Sequence, residues 1–109
     1  MPDKVYVIDR LNLEPAGAEA SSIKVLASGI TKYAGCKTPR LMPKFTEGSS
    51  ANNGIYEFDF VADCEHANMD EEEHIPTGDV LYYFNHVPAD LLKIVVYAEK
   101  NNKEIVYPG

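Results

Sequence analysis

"GIYEFDFVAD" (54–63) is the segment on which the reading of this chain turns. Tyr56, Phe58, Phe60 and Ala62 recur at every second position, and Glu57 and Asp59 occupy the positions between. On an extended backbone successive side chains point to opposite faces, so this pattern buries one face and wets the other. Its aromatic and β-branched content also suits a pleated, half-buried surface.

The neighbouring segments repeat the theme. "LKIVVYAE" (92–99) is almost continuously apolar, which predicts a central strand covered on both faces. "GDVLYYFNHV" (78–87) is a second aromatic strand, with Tyr82 and Tyr83 pointing to opposite faces. "KNNK" (100–103) is a hairpin signal leading into "EIVYP" (104–108), because Asn tolerates the positive φ such turns require. Upstream, "KVYVIDRLNLE" (4–14) and "SIKVLASGITKY" (22–33) read as strands, and Leu26 interrupts the alternation of the second. Pro43 restricts "RLMPKFT" (40–46) to an edge or a bulge. "EPAGAEASS" (14–22), "AGCKTPR" (34–40) and "EGSSANNG" (47–54) read as turns and loops.

No window shows helical periodicity. The sum is about seven strands, and the expected fold is all-β: one antiparallel β-sandwich domain over 1–109, of the immunoglobulin or fibronectin-III type. An incomplete barrel is the alternative. The chain has no Trp, so the Cys…Trp…Cys arrangement of true immunoglobulin domains is missing.

Bulk properties agree with one folded, soluble domain. The chain has 109 residues, 45% hydrophobic and 25% charged. Net charge is −7, from 10 basic and 17 acidic residues. That balance repels phosphate backbones and anionic lipid, so neither nucleic acid nor membrane is an expected partner. No stretch approaches the ~18 apolar residues of a spanning helix. The first residues lack the basic and apolar regions of a signal peptide, which predicts a cytoplasmic protein, with a trimmed secreted chain as the alternative. In a reducing cytoplasm Cys36 and Cys64 would be thiols; a bridge between them does not follow from their number.

The segment richest in reactive groups is "DCEHANMDEEEH" (63–74). It lacks the alternating ligands and the Gly of an EF-hand loop. His66 and His74 lie too far apart for a zincin helix, and the chain lacks paired cysteines for a zinc finger. An irregular Zn or Ca site remains open, built from Cys64, His66 and His74 with an acid such as Asp70 or Glu73. Cys64 and His66 are two apart and so would point the same way. Against a metal, Cys64 continues the apolar series of the preceding strand, and a run of acids on a loop tip normally sits in water. The mutual repulsion of such acids, ~1 kcal/mol or less per exposed pair, is too small to require a ligand.

Catalytic patterns are thin. "EGSSA" misses the nucleophile elbow, and no Gly-rich phosphate loop is present. A thiolate at Cys64 would be disfavoured by the acids around it. Glu57 and Asp59 stand ~7 Å apart by strand geometry, within the inverting-glycosidase range, but alternating acids are also how a sheet keeps one face wet. These features predict no enzyme and no cofactor.

"CKTPRLMP" (36–43) and "GIYEFDFVAD" (54–63) together resemble small uncharacterised bacterial proteins in which Gly-x-x-x-Pro-x-Leu precedes Gly-Ile-x-x-Phe-Asp-Phe-Val. The resemblance implies a single small β domain and carries no activity, substrate or cofactor. The acidic segment departs from that pattern.

The expected function is therefore a non-enzymatic binding or accessory module. Its protein partner would dock at the 63–78 loop end, joined by 34–40 and 47–53 if the topology gathers them. One alternative is a metal-binding protein using the acidic loop. Another is an inhibitor-like protein presenting "HIPTGD" (74–79), whose Pro76 would stiffen an exposed loop. The sequence does not set the oligomeric state.

Overall fold

A computed structural model describes residues 3–15, 22–33, 35–45, 54–64, 74–84 and 87–107. Among them the secondary structure is all β. The strands are β1 (Asp3–Lys4), β2 (Val7–Pro15), β3 (Ile23–Thr31), β4 (Cys36–Pro43), β5 (Ile55–Cys64), β6 (Ile75–Pro76), β7 (Val80–Phe84), β8 (Lys93–Tyr97) and β9 (Asn102–Val106).

These nine strands replace the seven expected, and the two additional ones are the shortest. β1 and β2 come from the single run 4–14. The chain breaks step at Val5–Tyr6 and sends its two halves to different sheets, β1 to β5 and β2 to β3. β6 is a two-residue strand inside the segment read as an exposed loop.

One sheet runs β4-β5-β8-β9, with β1 continuing the line of β8 along the same edge of β5. The other has β3 at its centre, β2 on one side, and β7 and β6 in line on the other. The two sheets pack face to face. Pairing is antiparallel except between β5 and β8, which run parallel. This corrects the purely antiparallel expectation. A parallel pair cannot be joined by a hairpin and needs a long crossover. Here the chain leaves β5, lays β6 and β7 on the opposite sheet, and returns as β8.

The alternation in 54–63 is realised in full. Tyr56, Phe58, Phe60 and Ala62 are 2% exposed or less, and Glu57 and Asp59 lie on the outer face. Ile23, Val25 and Ala27 of β3, Ile94 and Val96 of β8, and Val80 and Phe84 of β7 join them in the core, with Val5, Ile8, Leu41, Leu91 and Ala98. Leu26, the interrupting residue, points outward at partial exposure. The aromatic rings interlock: Phe58 meets Tyr82 edge-on with centroids 4.9 Å apart, and Phe45 meets Tyr56 likewise at 4.9 Å. Such pairs add about 0.5–1.5 kcal/mol each beyond the area they bury.

β8 is central, pairing with both β5 and β9, and its outward-facing Val95 is buried in register between Glu57 and Glu104. Pro43 sits on β4, which among the described residues pairs with β5 alone. Gly54 opens β5 with φ +80°, and a Cβ there would stand 2.3 Å from the Asp90 carbonyl oxygen. This backbone contact explains the glycine that begins the deciding segment.

Candidate functional site at the disulfide end

β4 and β5 pair from Pro43↔Phe58 at one end to Cys36↔Cys64 at the other. The two cysteines are therefore brought face to face by register, and they form a disulfide. The sequence left this pairing open, and thiols were expected only for a reducing cytoplasm. The Cys64 sulfur is bonded to Cys36, so as a cystine it supplies neither a thiolate ligand nor a nucleophile. It packs half-buried against the core, where strand parity placed it.

Of the other candidate metal ligands, His66, Asp70 and Glu73 lie outside the described residues. His74 is exposed just before β6, with its ring 5.2 Å from that of Tyr6. Among the described residues no group of three or more His, Cys, Asp or Glu could hold a metal ion.

Several elements converge around the disulfide. Lys32 follows β3 and places Nζ 5.5 Å from the Tyr6 ring centroid and 5.8 Å from that of Tyr33. Each contact has the geometry of a cation–π interaction, worth about 0.5–1 kcal/mol when exposed. A cavity of about 70 Å³ lies beside the disulfide, lined by Lys32, Tyr33, Cys36, Cys64 and Glu99 among others. That space takes a few waters, not a metabolite. Thr31, also on its wall, is buried at 6% exposure, its Oγ1 within reach of the Ile75 carbonyl (3.2 Å) and the Tyr33 carbonyl (3.3 Å).

Of the segment read as a loop at 34–40, residues 36–40 form the first part of β4. A bulge falls between Lys37 and Arg40, and Thr38 takes a left-handed φ of 53°. Arg40 donates from Nη1 and Nη2 to the two carboxylate oxygens of Asp63 (3.1 and 3.2 Å) and from Nη1 to the Thr38 carbonyl (3.0 Å). The disulfide and this fork join 35–40 to the start of the acidic segment. Residues 47–53 lie outside the described set. Their flanks, Phe45 and Gly54, stand at the opposite end of the β4–β5 pair.

Residues 74–79 do not project freely. The Thr77 N–H donates to the Gly29 carbonyl (2.9 Å), and the Gly29 N–H donates to Thr77 Oγ1 (3.1 Å). The backbone is thus fastened along β3 while Ile75 and Pro76 stay exposed.

Glu57 and Asp59, the carboxylate pair considered for hydrolysis, lie on the outer face of the larger sheet. Tyr97 donates its hydroxyl to Glu57, and this bond, with partial burial and the charges of Glu57, Glu104 and Asp59, raises the Tyr97 pKa above its ordinary value. Lys4 and Lys44 both approach Asp59 Oδ1, at 3.5 and 3.9 Å, and both stand over the Tyr97 ring, at 5.9 and 5.0 Å. Both acids are thus held by neighbours in the sheet's own charge ladder.

Sequence reasoning missed the gathering of Tyr6, Lys32, Tyr33 and His74. The adjacent Lys32–Tyr33 at a strand end was its only local trace. No protein-family model, no curated protein and no solved structure matches the chain.

Proposed function

We propose that this chain is a non-enzymatic binding module whose recognition surface is the disulfide end of the sandwich. The observation that carries this reading is the Cys36–Cys64 bond, which ties 35–40 to the root of the acidic segment, next to Tyr6, Lys32, Tyr33 and His74. A loop cluster on a rigid scaffold is where sandwiches commonly bind, and holding it in one shape lowers the entropic cost of docking. Tyrosine is also enriched in protein interfaces. A protein is the partner class this surface fits. The two packed sheets support the comparison with immunoglobulin and fibronectin-III sandwiches at the level of layers; the parallel β5–β8 pair is a departure from it.

The disulfide also favours an oxidising compartment over the reducing cytoplasm expected from the sequence. The metal-binding reading loses its thiolate and gains no supporting contact among the described residues.

The test is capture of a partner on the immobilised oxidised chain, followed by its titration against variants. Lys32→Ala and Tyr33→Ala should weaken binding at least tenfold, and Lys93→Ala, on the outer face of the larger sheet, should leave it unchanged. Equal binding by all three variants would move the surface elsewhere.

A further inference from the structure

The longer edge strands of the sandwich differ in how they discourage pairing with another chain. β4 carries Pro39 and Pro43 and a bulge between Lys37 and Arg40. β2 has a register shift between Ile8 and Arg10 and ends at Pro15. β9 presents Lys103 and Glu104. Prolines, bulges and charges are the devices that keep sheet edges from adding strands. β7 has none of them. Its sequence is Val-Leu-Tyr-Tyr-Phe, its register with β3 is unbroken from Ile23↔Phe84 to Ala27↔Val80, and among the described residues it pairs with β3 alone. Leu81 and Tyr83 are 41% and 53% exposed on its outer face.

We infer that β7 is a strand-addition edge, and that its occupant is β7 of a second copy of this chain, paired antiparallel about Tyr82. The strand is complementary to itself in that register. Val80 falls opposite Phe84, Leu81 opposite Tyr83, and Tyr82 opposite its own copy. Aliphatic–aromatic cross-strand pairs of this kind stabilise antiparallel sheets. No charge is set against its like within the strand. The arrangement is two-fold and closed, so it stops at a dimer rather than growing a filament. It joins two copies of the β2-β3-β7 sheet into one continuous sheet. The inference is independent of the proposed partner surface at the disulfide end.

Each copy carries a net charge of −7, so long-range repulsion opposes association. Added salt screens that repulsion, and an uncharged contact loses nothing in exchange. The dimer therefore tightens with salt, where an interface built on ion pairs would weaken.

Sedimentation equilibrium of the oxidised full chain, from micromolar to millimolar and at low and high salt, tests this. The expected result is a reversible dimer that tightens several-fold at high salt and is abolished in Leu81→Lys/Tyr83→Lys. Both positions are exposed, so the variant should keep the wild-type circular dichroism; if it does not fold, hydrogen exchange on the wild type substitutes. The β7 amides should then gain protection with concentration while the β4 and β9 amides do not. A wild type that stays monomeric at millimolar concentration overturns the inference. So does a dimer that survives the double substitution, or one whose protection appears on β4 or β9.

Discussion

Breaking the Cys36–Cys64 bond removes a cross-link between residues 28 apart in sequence. Loop-closure entropy for that span gives about 3.6 kcal/mol of stabilisation at 25 °C, because the bridge denies the unfolded chain much of its freedom. The native pairing does not depend on the bond: β4 and β5 stay in register through Met42↔Asp59 and Leu41↔Phe60, and the Arg40–Asp63 fork holds the same end. Reduction should therefore lower stability without changing the fold. For a domain this size about 3.6 kcal/mol corresponds to roughly 15 °C in Tm. The assay compares urea and thermal unfolding of the oxidised chain, the reduced chain and Cys36→Ser/Cys64→Ser. The two uncross-linked forms should agree with each other, and both should show a steeper urea dependence, since their unfolded states expose more surface. Thiol titration in denaturant fixes the redox state of each sample. Superimposable oxidised and reduced curves would refute the loop-entropy reasoning. Loss of β-structure on reduction would show instead that the bond, and not the register, holds β4 in place.

Gly54→Ala should destabilise by about 2 kcal/mol or more, since it adds a Cβ at φ +80° against the Asp90 carbonyl oxygen; urea unfolding reads it, and a neutral result would mean that the β5 entry relaxes freely. The Tyr97 phenol should titrate above the ordinary tyrosine range, and Glu57→Gln should bring it down, as followed by phenolate absorbance. Because its folded pKa is raised, the stability it contributes is complete below the unfolded pKa and is lost as pH rises through the folded value, so the effect belongs to the alkaline limb alone. Thermal melts with Zn²⁺, with Ca²⁺ and with chelator should coincide; a rise of roughly ten degrees with one metal, absent in His74→Ala, would restore the acidic segment as a metal site.

Much of the architecture was legible because it is written in local periodicity. The inward set of 54–63, the central place of 92–99, the edge position enforced by Pro43 and the opposed faces of Tyr82 and Tyr83 all follow from side-chain alternation or backbone chemistry. What was not legible depends on register between distant segments. Alternation has the same period in parallel and antiparallel strands, so the direction of β8 against β5 leaves no local mark. The run 4–14 buries both Val5 and Ile8, which hides the step that sends it to two sheets. The cysteines meet only because of the β4–β5 register, and Tyr6 meets His74 only because both flank β3 in space. The candidate site was thus visible as an unusual segment, while its composition came from topology.

The crossover between β5 and β8 also sets an order of events during synthesis. When β5 emerges, the β2–β3 and β4–β5 hairpins can already form, yet Tyr56, Phe58 and Phe60 still lack the rings of β7 and the aliphatic cover of β8. The nascent chain carries the three rings of β5 uncovered until β7 and β8 have followed it out of the ribosome. The chain from β6 onward then works as a closing strap, adding β6 and β7 to the open edge of β3 before β8 and β9 extend the larger sheet. Folding of this kind is dominated by distant pairings and is slow for its size, so the half-made chain, more than the finished protein, is where a holdase would find something to grip.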